Sequence, residues 1–311
     1  MHPKSRREVT TYLKNLIRRI IRRRAKWSIG IYAGSSPFTL QSGTRVNNPV
    51  LTAKDVSDFK AHMVADPFMV FENGTWYMFF EAMNDFESRG VIGLATSEDG
   101  LSWQYQKIIL NESFHLSYPY VFKHNGHYYM IPESHQEKSV RLYKALNFPD
   151  TWVFIKELLT GDSYVDSSVL FFDQRWWLFT CLTSNDTLQL YFSDDLMGDW
   201  IEHPKSPVVQ NNLRIARPGG RVLLTQNRII RYAQNDEFYY GSQVNVVEIK
   251  TLTPTEYHEE EFAGNPLLEG GSEVWNRTGM HNIDPHQISE NNWIACVDGY
   301  QIKVEFGINN Q

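Results

Sequence analysis

The stretch ADPFMVFENGTWYMFFE, residues 65–81, joins an apolar run to an aromatic run across Asn73-Gly74. Asn-Gly between two strand-like runs is a strong signal for a type I′ hairpin turn. The pattern recurs as SYPYVFKHNGHYYMIPE (117–133) and VDSSVLFFDQRWWLFTC (165–181), both without a gap. ARPGGRVLLTQNRIIRYAQ from Ala216 repeats it with two extra residues, and IDPHQISENNWIACVD from Ile283 with one fewer. The starts lie 52, 48, 51 and 67 residues apart. After the first three hairpins comes a further strand and a tryptophan: Trp103, Trp152 and Trp200.

Four strands in roughly 50 residues is the length of a propeller blade, so five hairpins predict an all-β, five-bladed β-propeller. Ser28–Tyr32 and Ser35–Phe38 read as the outer half of a blade whose inner half is the fifth hairpin. Joining the two ends closes the ring and leaves no open sheet edge. A meander or sandwich offers no reason for the period.

Composition agrees. The 311 residues are 42% hydrophobic, 21% charged and 14% aromatic, which excludes wholesale disorder and suits strands and sugar-binding surfaces. No apolar run is long enough for a transmembrane helix. Cys181 and Cys296 both sit in apolar runs and are expected to be buried, reduced thiols, as in a reducing, cytoplasmic compartment. No signal peptide is visible.

Charge divides the chain in two. Residues 1–26 carry ten Lys/Arg and one Glu, leaving 20 basic and 35 acidic residues beyond. Tyr12, Leu13, Leu16, Ile17, Ile20 and Ile21 form one helical stripe, with Arg18, Arg19, Arg22 and Arg23 flanking it. The expected organisation is a basic amphipathic helical arm over 1–26 and a propeller over 27–311. Such an arm suits an anionic membrane surface, with placement at the inner face of a membrane; a partner domain or a nonspecific nucleic-acid arm are the rivals. The body has no aromatic-plus-basic groove, so no specific nucleic-acid partner is expected.

In a propeller the inner strands begin near the axis, so the first and last residues of each hairpin ring one mouth. These are Asp66 with Glu81, Tyr118 with Glu133, Asp166 with Cys181, Arg217 with Tyr232 or Gln234, and Asp284 with Asp298. Just upstream lie His62, His115, Tyr164, Arg214 and His281. Polar positions converging from five blades make a candidate site. Each also has a structural alternative: turn chemistry at the Asp-Pro steps, and packing salt bridges between Glu81 or Glu133 and the arginines. No metal or cofactor motif is present, although calcium or water on the axis stays open.

The Asp-Pro start, apolar strand, turn and W-Y-M-F-F-E run of Asp66–Glu81, repeated fivefold, resembles the propeller glycoside hydrolases of the family 43, 32 and 68 type. The run His62–Glu81, with Tyr118-Pro119-Tyr120 to Glu133 and Trp27-Ser28-Ile29-Gly30-Ile31, is similar to the N-terminal module of glucosamine inositolphosphorylceramide transferases. The resemblance spans about residues 27–300 and implies a glycan or glycolipid ligand. It implies Asp66 as base or nucleophile and Asp166 as the residue that orients substrate and tunes pKa. The hydrolases' acid Glu is replaced at the matching fourth-blade position by Arg217, so whether the chain is an enzyme stays open. Glu133 is the first replacement acid and Glu81 the second. Glu81, Tyr118, Arg217, Arg214, His62, His115, His281, Asp284 and Gln234 are the expected substrate-binding residues. The transferase chemistry of the plant proteins is expected on a separate domain that this chain lacks. A noncatalytic glycan-binding module of a glycosyltransferase system is the alternative; it predicts Arg217 and Arg214 paired to Glu133 or Asp166.

Overall fold

The computed structural model describes residues 21–84 and 89–306. The chain opens with β1 (Ile21–Gly34) and β2 (Gln41–Ser42). Blade one follows as β3 (Met63–Glu72), β4 (Thr75–Asn84), β5 (Arg89–Ser97) and β6 (Gln104–Leu110). Blade two is β7 (Ser117–His124), β8 (His127–Glu133), β9 (Ser139–Asn147) and β10 (Thr151–Thr160). Blade three is β11 (Tyr164–Phe172), β12 (Arg175–Leu182), β13 (Leu188–Ser193) and β14 (Ile201–Glu202). Blade four is β15 (Leu223–Thr225), β16 (Arg228–Asn235), β17 (Gln243–Leu252) and β18 (Tyr257–Glu261), with β19 (Leu268–Glu269) also on β17. Blade five pairs β20 (Ile283–Ser289) and β21 (Asn292–Phe306) with β1 and β2, in the order β2-β1-β21-β20.

The ring therefore closes as the repeat requires, through the ladder from Ile21↔Phe306 to Gly34↔Trp293. The outermost strand of this blade is Gln41–Ser42 rather than Ser35–Phe38, which lies in the turn between β1 and β2. Asn48 Nδ2 donates to the Ile31 carbonyl (3.0 Å) and its Oδ1 accepts the Ile31 N–H (2.8 Å), tying the following segment to β1.

Of the helix expected in the arm, residues 10–20 lie outside the described residues. Its end, Ile21–Ala25, is strand: main-chain pairing with Ile302–Phe306 wins over the helical period. β1 thus runs across the 26/27 boundary.

Side chains interleave between blades, with Phe68 and Phe79 of blade one, Tyr118, Tyr120 and Trp152 of blade two, and Val169 and Trp176 of blade three in one cluster. The repeated tryptophan has a local role. Trp103 Nε1 donates to the Gly100 carbonyl (3.1 Å) and Trp152 Nε1 to that of Pro149 (2.8 Å), each clasping the turn into a fourth strand. Cys181 and Cys296 are buried free thiols, as expected. Among the described residues, no helix is long and apolar enough to cross a membrane.

Candidate functional site

One local device repeats at the start of the inner strands. The hairpin ladders slip between Ala65 and Phe68, between Ser117 and Tyr120, and between Val165 and Ser168. The residue inside each slip has positive φ: Asp66 at 51°, Tyr118 at 43° and Asp166 at 50°. These are β-bulges, and a bulge re-aims the side chain it carries. For Tyr118 the left-handed conformation is costly, on the order of 1–3 kcal/mol. Its phenol is held between blades, accepting the Gly220 N–H (2.7 Å) and sharing a hydrogen bond with Ser168 Oγ (2.9 Å). Gly220 approaches blade five so closely that a Cβ would lie 1.8 Å from the Ile283 carbonyl oxygen, so only glycine fits.

The bulges gather a cluster of buried acids: Asp66, Glu81, Glu133, Asp166 and Asp298. Asp66 accepts the Tyr118 N–H (3.2 Å), and its own N–H donates to Asp298 (2.9 Å). His281 stands between the two, with Nδ1 2.8 Å from Asp298 and Nε2 3.6 Å from Asp66 Oδ1. Burial pushes Asp66 up to about 6, against the pull of His281 and with the push of Asp298 and Glu133. Burial disfavours the charged imidazole, but Asp298 outweighs it and raises His281 to about 9.

Glu133 and Asp166 share a single guanidinium. Arg217 donates from Nε to Asp166 (2.6 Å) and lies 3.6 Å from Glu133 through Nη2, while His135 Nδ1 is 2.8 Å from Glu133. Gln234 Nε2 also donates to Asp166 (2.5 Å). Burial raises Asp166 well above the usual range even with Arg217 beside it, because Glu133 and Asp66 repel its charge. Glu133 overcomes its own burial through His135 and Arg217 and drops to about 2. The two carboxyls are driven apart, Asp166 up and Glu133 down, and Glu133 Oε2 has no hydrogen-bond partner among the described residues.

Glu81 is different. Its nearest cationic candidate is His115, with Nε2 at 3.7 Å. His115 Nδ1 accepts the Gly90 N–H (2.9 Å), and burial lowers the ring's pKa, so the imidazole is neutral. Burial first, then Asp66, Glu133, Asp166 and Asp298, hold the Glu81 carboxyl well above its ordinary value.

Four expected side chains, those of Arg214, Asp284, Tyr118 and His62, are elsewhere. Arg214 does not reach Glu133 or Asp166; it pairs with Glu261 (3.0 Å) and Glu237 (3.8 Å), half-exposed on blade four. Asp284 sits in regular register opposite Cys296 and faces Arg221 Nε (2.6 Å), His286 Nε2 (2.9 Å) and the Met69 N–H (2.6 Å). That guanidinium also donates to the carbonyls of Val121 and Met69, linking it to blades two and one. The Tyr118 side chain is interblade packing, and only its N–H belongs to the cluster. His62 lines a lateral groove beside Trp27.

Other contributors went unread. Trp27 stacks on His281 with ring centroids 4.1 Å apart, and Tyr240, half-exposed, lies 5.5 Å from His281 and 5.3 Å above Arg217. Asn185 Oδ1 accepts from Arg217 Nη1 (2.9 Å). The Phe238-Tyr239-Tyr240 run in a loop was the available signal for Tyr240; nothing local marked Asn185 or His135. Asp66, His281 and Asp298 lie near enough together to reach one ion. Asp298, however, already accepts from the N–H groups of Asp66, His281 and Asn282 and faces His281 Nδ1, so the set does not fit a metal without losing those bonds.

The architecture is that of the glycoside hydrolase propellers. A thermostable family-43 glycoside hydrolase superposes with TM-score 0.55 at 12% identity, covering 79% of this chain and 95% of the other. An exo-1,5-alpha-L-arabinanase from a bovine ruminal metagenomic library gives 0.54 at 15% identity, over 79% and 94%. At such identities the likeness shows the fold alone. Residues 22–300 match the family described as glucosamine inositolphosphorylceramide transferase 1, N-terminal, and the chain belongs to that family. It is 33% identical to glucosamine inositolphosphorylceramide transferase 1 of Oryza sativa subsp. japonica, over 89% of this chain and 40% of that protein. The Arabidopsis thaliana protein of the same name is 34% identical, over 89% and 39%. The chain spans about two-fifths of the length of these relatives.

Proposed function

We propose that this propeller cleaves a glycosidic bond in a glycan or glycolipid, with Asp66 as base or nucleophile and Glu81, rather than Glu133, as the acid. The observation that carries this is the division of the acids. Arg217 and His135 compensate Glu133 and Asp166, whereas among the described residues the ion-pair candidate for Glu81 is a neutral imidazole. Two carboxyls of unequal proton affinity in one site are what acid–base assignment requires. Glu81, held well above its ordinary value, is the proton donor of the two, and Asp66, at about 6, the acceptor.

Glu81 gives its proton to the glycosidic oxygen as the bond to the anomeric carbon breaks. Asp66 either takes a proton from the attacking water or bonds to the anomeric carbon, and water then releases that intermediate. Asp166, held by Arg217 and Gln234, orients the sugar. Tyr240 offers a ring face against which a pyranose packs. Residues 1–20 would hold the propeller at an anionic membrane on its cytoplasmic side.

Arg217 at the position where the resemblance puts the acid favours a second reading, a noncatalytic glycan-binding module serving a glycosyltransferase. Reducing-sugar release from a panel of glycosides and envelope glycans separates the two. Turnover abolished in Asp66→Asn and, for poor leaving groups only, in Glu81→Gln supports the hydrolase. Saturable glycan binding with no turnover from any substrate supports the module.

A further inference from the structure

We propose that a lateral groove beside the mouth binds a phosphate ester group. The groove, about 800 Å³, lies between blade five and the segment leading into blade one, and Lys26, Lys54 and Lys303 line it. The strand ladder explains two of them. Lys26 pairs with Gln301 and Arg24 with Lys303, so positions 24, 26, 301 and 303 share one face of the β1–β21 ribbon. Lys54 comes from the loop that follows the Ile29–Leu51 bridge.

Two of the three, Lys54 and Lys303, belong to the acidic body, which has 20 basic and 35 acidic residues beyond position 26. The single carboxylate lining the groove, Glu273, already accepts from Ser42 Oγ (2.7 Å) and Trp275 Nε1 (2.9 Å). Among the described residues, no carboxylate pairs with Lys54 or Lys303. Ammonium-bearing side chains lining one groove from separate elements suit an oxyanion that spreads one to two charges over several oxygens.

The groove also touches the acid cluster. Trp27 forms part of its wall, and the same indole stacks on His281, whose Nε2 is 3.6 Å from Asp66. A ligand with its phosphate among the lysines therefore has its next units directed along Trp27 and His62 towards the mouth. Two sources share this chemistry, a free sugar phosphate and a phospholipid head group. Binding here is read without turnover, so it stands whether or not Asp66 and Glu81 cleave anything.

The test is a titration of the full chain with glucose 6-phosphate and with glucose, and sedimentation with phosphatidylglycerol/phosphatidylcholine vesicles against phosphatidylcholine alone. The expected result is binding of the phosphate-bearing probe only, weakened about tenfold in Lys54→Ala/Lys303→Ala and retained in Lys54→Arg/Lys303→Arg. Glucose 6-phosphate binding assigns a free sugar phosphate; lysine-dependent binding to vesicles alone assigns a head group. Residues 1–26 add vesicle affinity of their own, so only the fraction lost in the double alanine variant counts. Equal binding of glucose and glucose 6-phosphate, no binding of either phosphate probe, or a double variant within twofold of wild type overturns the proposal. Both lysines are exposed, so an unchanged Tm in the double variant keeps the comparison valid.

Discussion

Asp66-Pro67 and Asp284-Pro285 are the same dipeptide at the same place, the start of an inner strand beside the axis, and they have opposite fates. Asp66 sits inside a bulge at φ 51°, faces an imidazole at 3.6 Å with the charges of Asp298 and Glu133 close by, and is raised to about 6. Asp284 sits in regular register and faces a guanidinium at 2.6 Å. Although fully buried, it is lowered to about 2 by Arg221 and His286. One extra residue in the strand re-aims the side chain and decides whether the carboxyl joins an acid cluster or an ion pair. The first arrangement holds a carboxyl at a raised pKa at a cost in stability; the second ties blades one, two, four and five together.

The largest expected effect is on turnover. Asp66→Asn should lower kcat by about 10²–10⁴-fold with the fold intact, whereas Asp284→Asn should leave kcat per folded molecule nearly unchanged. A kcat loss in Asp284→Asn equal to that in Asp66→Asn would erase the distinction.

Stability should show the reverse. Arg221→Met strands a buried carboxylate and should cost about 3–5 kcal/mol by urea denaturation at pH 7. Asp66→Asn removes a carboxyl whose ionisation is opposed by burial and should cost little or stabilise at that pH.

The pH dependence sharpens the contrast. Folding raises Asp66, so its favourable contribution is present below the usual carboxylate pKa of 3.8 and is lost as pH rises through about 6. Asp66→Asn should gain on wild type over that window, by on the order of 2–3 kcal/mol. Folding lowers Asp284, so its contribution is present above 3.8 and is lost as pH falls through about 2. The cost of Asp284→Asn should therefore shrink in acid. Paired denaturation curves from pH 2 to 8 check both directions.

Smallest is Tyr240→Ala. Loss of its ring from Arg217 should weaken glycan binding about 2–5-fold, equivalent to about 0.5–1 kcal/mol, with Tm nearly unchanged.

The hairpin spacing, the turn residues and the split inner and outer halves of blade five made the ring legible, because strand period and turn chemistry are local properties. The acids at the mouth were legible by type for the same reason: repeated hairpins bring equivalent ends together. Which of them act together was not. For Glu133 the sequence left a replacement acid and a salt-bridged packing residue both open, with Arg217 among the expected partners of Glu133 or Asp166; Arg217 and Gln234 from blade four and His135 from the turn after β8 compensate the two acids. Arg214, three residues before Arg217, is drawn instead to Glu237 and Glu261.

Residues 21–25 show the same limit from the other side. Their apolar-basic pattern continues a helical stripe, and a partner strand more than 270 residues away makes them β. The sequence by itself determined five hairpins, their closure and a polar mouth, since these follow from periodicity. Only the tertiary structure decided which way each carboxyl points and which cation meets it, because both depend on single-residue bulges and on partners brought in from other blades.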